Sequence, residues 1–217
     1  MYHLNKRLFL FILSLMIVSI VKIAPSAQAR EVNITPNLPY LDLTLSGKPV
    51  RIERNQNTKH RLTNGFAKTS RACPPFCVHP MTAGQGVQTV GEIELIRFMK
   101  SSVEKRRGLL IDARIPSFYK KSTIPGAVNI PFNLFSRTGN PYFERILAVM
   151  GATKTASGGW DYSKSMALML FCNGPWCDQS PRAIKNLLAA GYPPNRLFYY
   201  RGGMQNWQAL GFNTTKP

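Results

Sequence analysis

The residues of this chain best suited to covalent chemistry are its four cysteines. Cys172 directly follows the apolar run Met166-Ala167-Leu168-Met169-Leu170-Phe171. It opens the loop Asn173-Gly174-Pro175-Trp176-Cys177-Asp178-Gln179, and a helical pattern begins at Ser180. A thiol between a strand end and a helix start faces backbone N–H groups, which favour the thiolate, the reactive form. The same amides can be turned toward an anion or a persulfide held on that sulfur. General acid–base chemistry fits less well, because no histidine stands nearby in sequence. The plainer alternative is a buried structural thiol. Cys177 is open to three readings: a disulfide with Cys172, a thiol that resolves a persulfide, or a space-filling side chain. A permanent Cys172–Cys177 bond would leave no nucleophile. Trp176 either walls the pocket or covers the edge of the core.

Cys73-Pro74-Pro75-Phe76-Cys77 is a second candidate, stiffened by two prolines that fix their own φ. With His79 it offers three metal ligands and no obvious fourth, so no metal site is expected. A local disulfide is the leading reading in an exported chain. A third option places this loop over the Cys172 pocket, with Phe76 as its cover. Asp112 and Arg114 can pair near the pocket, although such pairs more often serve as scaffolding.

The elements that must position these residues follow from periodicity. Tyr40–Leu45 alternates, Ser46-Gly47-Lys48 turns, and Pro49–Ile52 alternates again, which predicts a β-hairpin. Residues 54–72 are polar and basic, with an Asn64-Gly65 turn signal, and read as surface loop. From about Gly86, strands and helices alternate. Short strands are expected at Leu109–Ile111, Ala127–Ile130 and Leu197–Tyr200, and helices at Glu92–Phe98 and Tyr142–Met150. Met166–Phe171 is apolar at every position, as a central parallel strand should be. Ser180–Ala190 is the best helix: Ser180 is the expected cap, Pro181 the first turn and Gly191 the stop. Its inward stripe is expected to be Ile184, Leu187 and Leu188. This order predicts a doubly wound α/β domain with its chemistry at the carboxyl ends of the strands.

The chain has 217 residues, 44% of them apolar, and a formal net charge of +18. That composition excludes disorder along the whole length. Four cysteines are too few for a disulfide-dense scaffold, so a hydrophobic core must hold the fold. Lys6 and Arg7, an apolar run over residues 8–21 and Ala27-Gln28-Ala29 form the pattern of a secretory signal peptide at residues 1–29. The run is short for a membrane span of about 20 residues. Cleavage removes Lys6, Arg7 and Lys22 and leaves 25 basic and 10 acidic residues, a net +15. The expected location is periplasmic or secreted, with no nucleic-acid partner. The positive charge falls on residues 48–71, 97–121 and 182–201 rather than beside Cys172, where Asp178 and Gln179 stand. It reads as a global field that draws small anions or an anionic envelope surface. Nothing in the sequence fixes the oligomeric state.

Four segments, in order, resemble the rhodanese (sulfurtransferase) domain. Leu110-Ile111-Asp112-Ala113-Arg114 is similar to its opening motif, and Thr123-Ile124-Pro125-Gly126-Ala127-Val128-Asn129-Ile130-Pro131 to its I-P-G-A stretch. Phe171-Cys172 and the following loop resemble its active-site segment, and Arg201-Gly202-Gly203-Met204-Gln205-Asn206-Trp207 its closing G-G-x-x-x-W. The resemblance covers about residues 86–213, and a rhodanese-like domain is expected at 86–217 after an extension at 30–85. More narrowly, the loop resembles that of exported single-domain bacterial rhodaneses reading C-N-G-P-x-C-x-x-S. The resemblance implies a persulfide intermediate on Cys172, no cofactor, and a small sulfur-containing anion or thiol as partner. Three departures weigh against thiosulfate as donor. The loop is about two residues longer than the common one. Gln179, with Asp178 beside it, takes the place of a basic residue, and Arg182 is the nearest compensation. Thr123 takes the place of a histidine.

The resulting expectation is a sulfurtransferase acting through Cys172. Two other functions remain open: a thiol-disulfide protein cycling Cys172 and Cys177, and an inactive binding module of the same shape. A cysteine phosphatase needs C-x5-R, and that place after Cys172 holds Asp178.

Overall fold

Each residue of the strand before Cys172 from Leu168 to Phe171 is almost completely removed from solvent, as an apolar run flanked by other strands must be. The structure, a computed structural model, describes residues 31–138 and 140–217. The signal peptide expected at 1–29 lies outside the described residues.

The strands in chain order are β1 (Tyr40–Leu45), β2 (Lys48–Glu53), β3 (Gln88–Val90), β4 (Gly108–Asp112), β5 (Val128–Asn129), β6 (Thr153–Lys154), β7 (Trp160–Asp161), β8 (Ala167–Phe171) and β9 (Leu197–Tyr200). The α-helices are α1 (Glu92–Phe98), α2 (Pro116–Tyr119), α3 (Phe143–Val149), α4 (Gln179–Ala189) and α5 (Gly203–Ala209). Five strands form a parallel sheet in the order β3-β9-β8-β4-β5, with β8 at its centre. β1 and β2 form the expected antiparallel hairpin. Ser46 (φ 50°) and Gly47 (φ 80°) are both left-handed, as the tightest two-residue turn between twisted strands requires.

The pleat of the sheet divides the core in two. Leu168 and Leu170 of β8 and Ile111 of β4 point to one face, where Ile184 and Leu187 of α4 and Leu147 of α3 cover them. Met169 and Phe171, with Leu110, point to the other face, beneath Leu95 of α1 and Trp207 of α5. Leu188, expected on the inward stripe of α4, is only partly buried at its edge. The hairpin belongs to the second layer, since Leu43 and Ile52 pack with Trp207 and Phe212. The chain end ties the hairpin down: Asn213 N donates to the Glu53 carbonyl, and Glu53 N donates to Asn213 Oδ1, at 3.0 Å each. The hairpin is thus built into the same core as the sheet. Among the described residues, no helix is long and apolar enough to cross a membrane.

Candidate active site

β8 ends at Phe171, and the Ala113 amide donates to the Phe171 carbonyl at 3.0 Å. Cys172 therefore emerges at the carboxyl edge of the central strand, beside the end of β4. The loop that follows is held from below by α5. The amides of Met204 and Gln205 donate to the carbonyls of Cys172 and Asn173 at 3.0 and 2.9 Å. This approach needs glycine at position 203. Gly203 has φ 57°, and a Cβ there would overlap the Cys172 carbonyl and lie 2.8 Å from the Gly174 nitrogen. Trp176 Nε1 donates to Gln205 Oε1 at 2.5 Å and anchors the far side of the loop.

Ser180 departs from the expected role. The cap of α4 is Asp178, whose side chain makes no capping hydrogen bond, and α4 begins at Gln179. The Ser180 hydroxyl instead donates to Cys172 Sγ at 3.2 Å and is completely buried. A cap two residues earlier than expected turns that hydroxyl inward, where a sulfur accepts it. Pro181 accordingly sits third in the helix rather than first.

Cys172 is 2% exposed, and its protonated thiol donates to the Cys177 carbonyl at 3.1 Å. Cys172 and Cys177 are free thiols here. Burial works against the Cys172 thiolate, but four donors converge on the sulfur: the Cys177 thiol, the Ser180 hydroxyl, and the amides of Ser180 and Gly174. Together they hold the Cys172 thiol below the ordinary cysteine value. Its hydrogen bond to Cys172, together with burial, pushes the Cys177 thiol upward. Of the pair, Cys172 is thus the thiol that ionises more readily and Cys177 the one that keeps its proton.

Asp112 and Arg114 form the second part of the site. Arg114 grips Asp112 with two nitrogens, Nε to Oδ1 at 2.8 Å and Nη2 to Oδ2 at 2.6 Å, and both residues are no more than 1% exposed. Arg114 Nη1 donates to Asn173 Oδ1 at 3.1 Å, so the pair reaches the cysteine loop directly. Thr123 donates its hydroxyl to Asp112 Oδ2 at 2.8 Å, and Asn129 Nδ2 donates to the carbonyls of Asp112 and Arg114. Every charged atom of the pair is thus partnered, as burial demands. The sequence pointed to Asp112 and Arg114 but not to Asn129, whose role is visible only once β5 lies beside β4.

A cavity of about 440 Å³ lies above the loop, with Asn173, Cys177 and Gln179 among its lining residues. Cys172 itself is not among its lining residues. Trp176 walls the cavity. Asp178 lines it too and pairs with Arg182 at 3.5 Å, while Arg182, expected to stand in for the missing basic residue, is not among the lining residues.

The opposite wall comes from the extension. Phe66, Arg71, Pro75 and Phe76 all line the cavity. Residues 54–72 are therefore more than a surface loop. Cys73 and Cys77 are joined as a disulfide, with Cα atoms 4.6 Å apart. Phe76 meets Trp176 edge to face at 5.5 Å between ring centres, and the Arg71 guanidinium lies over the same ring at 3.9 Å. His79 N donates to the Pro175 carbonyl at 2.9 Å, which fixes the strap to the cysteine loop. Among the described residues, no cluster of three or more His, Cys, Asp or Glu side chains is placed to hold a metal.

The pattern of the rhodanese-like domain family matches residues 97–210. No curated protein matches the chain. Among solved structures, a protein of Bacillus halodurans is 19% identical over 59% of this chain and 76% of its own, with a TM-score of 0.42. A human single-domain sulfurtransferase is 22% identical over 57% of this chain and 96% of its own, with a TM-score of 0.39. A thiosulfate sulfurtransferase of Pseudomonas aeruginosa is 20% identical over 59% of this chain and 20% of its own, with a TM-score of 0.39. The matched stretch is more than half of the sequence and carries the central strand, its cysteine loop and the helix beneath that loop, and on this ground the chain belongs to the rhodanese-like domain family.

Proposed function

We propose that the protein is a sulfurtransferase that carries sulfane sulfur as a persulfide on Cys172. The observation that carries this reading is the convergence of the Ser180 hydroxyl and amide, the Gly174 amide and the Cys177 thiol on one buried sulfur. These donors favour a thiolate on Cys172, and donors already in place stabilise negative charge on that sulfur during the reaction. In the first step the Cys172 thiolate attacks the outer sulfur of a donor. A new S–S bond forms, the donor's own S–S bond breaks, and the electron pair departs with the leaving group. In the second step a nucleophilic acceptor takes the outer sulfur and returns the thiolate. The Asp112–Arg114 pair holds the loop through Asn173 and takes no part in the bond changes. We place the protein in the periplasm or outside the cell, on the signal-peptide pattern of residues 1–29.

The test is an intact-mass measurement on reduced protein treated with a polysulfide. A gain of about 32 Da, one sulfur atom, that is lost in Cys172→Ser is expected. No gain with any sulfane donor, alongside a loss of two hydrogens that joins Cys172 to Cys177, would replace this reading with a thiol-disulfide one. That second reading is favoured by one observation, the hydrogen bond between the two free thiols.

A further inference from the structure

In sulfur transfer through Cys172, the Cys177 thiol serves only as a hydrogen-bond donor. Its position suits a further step. The Cys177 amide donates to the Gly174 carbonyl at 2.9 Å, which folds the loop back over its own start. Two contacts between the cysteines result. The protonated Cys172 thiol reaches the Cys177 carbonyl at 3.1 Å, and the Cys177 thiol donates to the Cys172 sulfur. Both are free thiols, while Cys73 and Cys77 of the same chain are joined. Of the two free thiols, Cys177 is the one that lines the cavity.

The reactivity of Cys177 depends on the charge beside it. Its proton is held first by the hydrogen bond to Cys172, and burial adds to this. The backbone amides of Asn173 and Gln179 act in the opposite sense and favour its thiolate. Gln179 Oε1, at 3.9 Å, offers the S–H another acceptor. When Cys172 takes on an outer sulfur, its own sulfur becomes a neutral member of an S–S bond, and the negative charge moves to the outer atom. The anion that kept the Cys177 proton in place has then left that sulfur, whereas the two amides remain. Loading Cys172 therefore turns the less reactive thiol of the pair toward its nucleophilic form.

We infer that Cys177 is a resolving cysteine: its sulfur attacks the inner sulfur of the Cys172 persulfide, closes a Cys172–Cys177 disulfide and expels the outer sulfur as hydrosulfide. This rests on the sulfurtransferase reading and adds a second outcome at the same site. Direct contact with the Cys172 sulfur is what aims the attack at the inner atom. The bond between the two Sγ atoms forms, the bond from Cys172 Sγ to the outer sulfur breaks, and its electron pair leaves with the outer sulfur. The Cys177 proton leaves with it too. A persulfide anion and a thiol thus become a disulfide and HS⁻, with charge conserved. The two cysteines are oxidised and the outer sulfur is reduced. An external dithiol returns both thiols by exchange.

Trypsin cleavage after Lys164 and Arg182 gives one peptide, residues 165–182, that holds both cysteines and neither Cys73 nor Cys77. Reduced full-length protein is loaded with a polysulfide, desalted and sampled over time into iodoacetamide. The mass of this peptide and the sulfide set free are followed together. In the wild-type chain the gain of about 32 Da should give way to a loss of two hydrogens within the peptide, with one sulfide released per disulfide. In Cys177→Ser the gain should form and then decay at least about tenfold more slowly, with no internal disulfide. Cys177→Ala should behave alike, and matching thermal melts establish that both variants keep the fold. Dithiothreitol should return the wild-type product to two thiols. A persulfide as long-lived in the wild type as in Cys177→Ser, with no sulfide released, overturns the inference and leaves the Cys172 persulfide standing. A sulfur found by fragmentation on Cys177 overturns it as well, because the outer sulfur was then passed on rather than expelled. No gain in the wild type or in Cys177→Ser removes the sulfurtransferase reading itself, and the inference with it.

Discussion

Ser180 is the residue on which the chemistry of the loop turns. Its hydroxyl and amide both donate to Cys172, and the Cys177 thiol adds a further donor. These bonds favour the charged form, so each acts to lower the pH at which Cys172 ionises. Ser180→Ala and Cys177→Ala should therefore both raise the midpoint of the pH profile for Cys172 alkylation, measured with iodoacetamide and read by mass. The thiolate fraction rises with pH through that midpoint, so both variants should react more slowly near neutrality and recover in alkali. A midpoint unmoved in Ser180→Ala would show that the hydroxyl does not stabilise the thiolate. Asp112 has a different kind of weight. Asp112→Ala leaves the Arg114 guanidinium buried without its counter-ion, which should cost about 3–5 kcal/mol in urea denaturation. Arg114→Leu added to Asp112→Ala should restore part of that loss, because no charge then remains buried.

At the scale of elements, the loop is as well placed as the two elements that grip it. α5 approaches so closely that Gly203 leaves no room for a side chain, while a Cβ at Gly202, whose φ is not positive, would lie 2.9 Å from the Asn206 Cβ and meet no backbone of the cysteine loop. Gly203→Ala should push the loop off its amide donors and cut the persulfide yield at least about tenfold, at a stability cost of about 1–3 kcal/mol. Gly202→Ala should be milder in both respects. The sequence pattern announced β4, β8, β9 and α4 because their apolar periods are long enough to read, and it announced the loop because a cysteine followed the longest of them. It misplaced the cap of α4 by two residues. Serine before proline is a strong cap signal on local grounds, but the hydroxyl is bound by a sulfur eight positions back in the chain, a contact no local pattern carries. The edge strand β3 and the small β6–β7 pair are too short to show any period. The strap from Asn64 to Phe76 was legible as turn and disulfide chemistry, whereas its seat against Trp176 depends on a pairing about 100 residues away, which only folding reveals.

For the whole molecule, the charge has a local part that composition hid. Along the sequence the basic residues avoid the cysteine loop, yet folding brings Arg71 and Lys121 to the cavity wall. The remainder of the +18 acts as a long-range field. The rate of persulfide formation with an anionic donor should then fall several-fold as salt rises from about 0.05 to 0.5 M, because the screening length shrinks to a few ångströms. A flat salt response in stopped-flow measurements would remove the field from the account.

The hairpin β1–β2 is completed by residues near the other end of the chain: Leu43 and Ile52 rest on Trp207 and Phe212, and Glu53 exchanges hydrogen bonds with Asn213, 160 positions away. The earliest strands to leave the ribosome are thus among the last to find their partners. Until residues 207–213 are made, Leu43 and Ile52 lack part of the surface they bury against. Contacts of such long range slow folding.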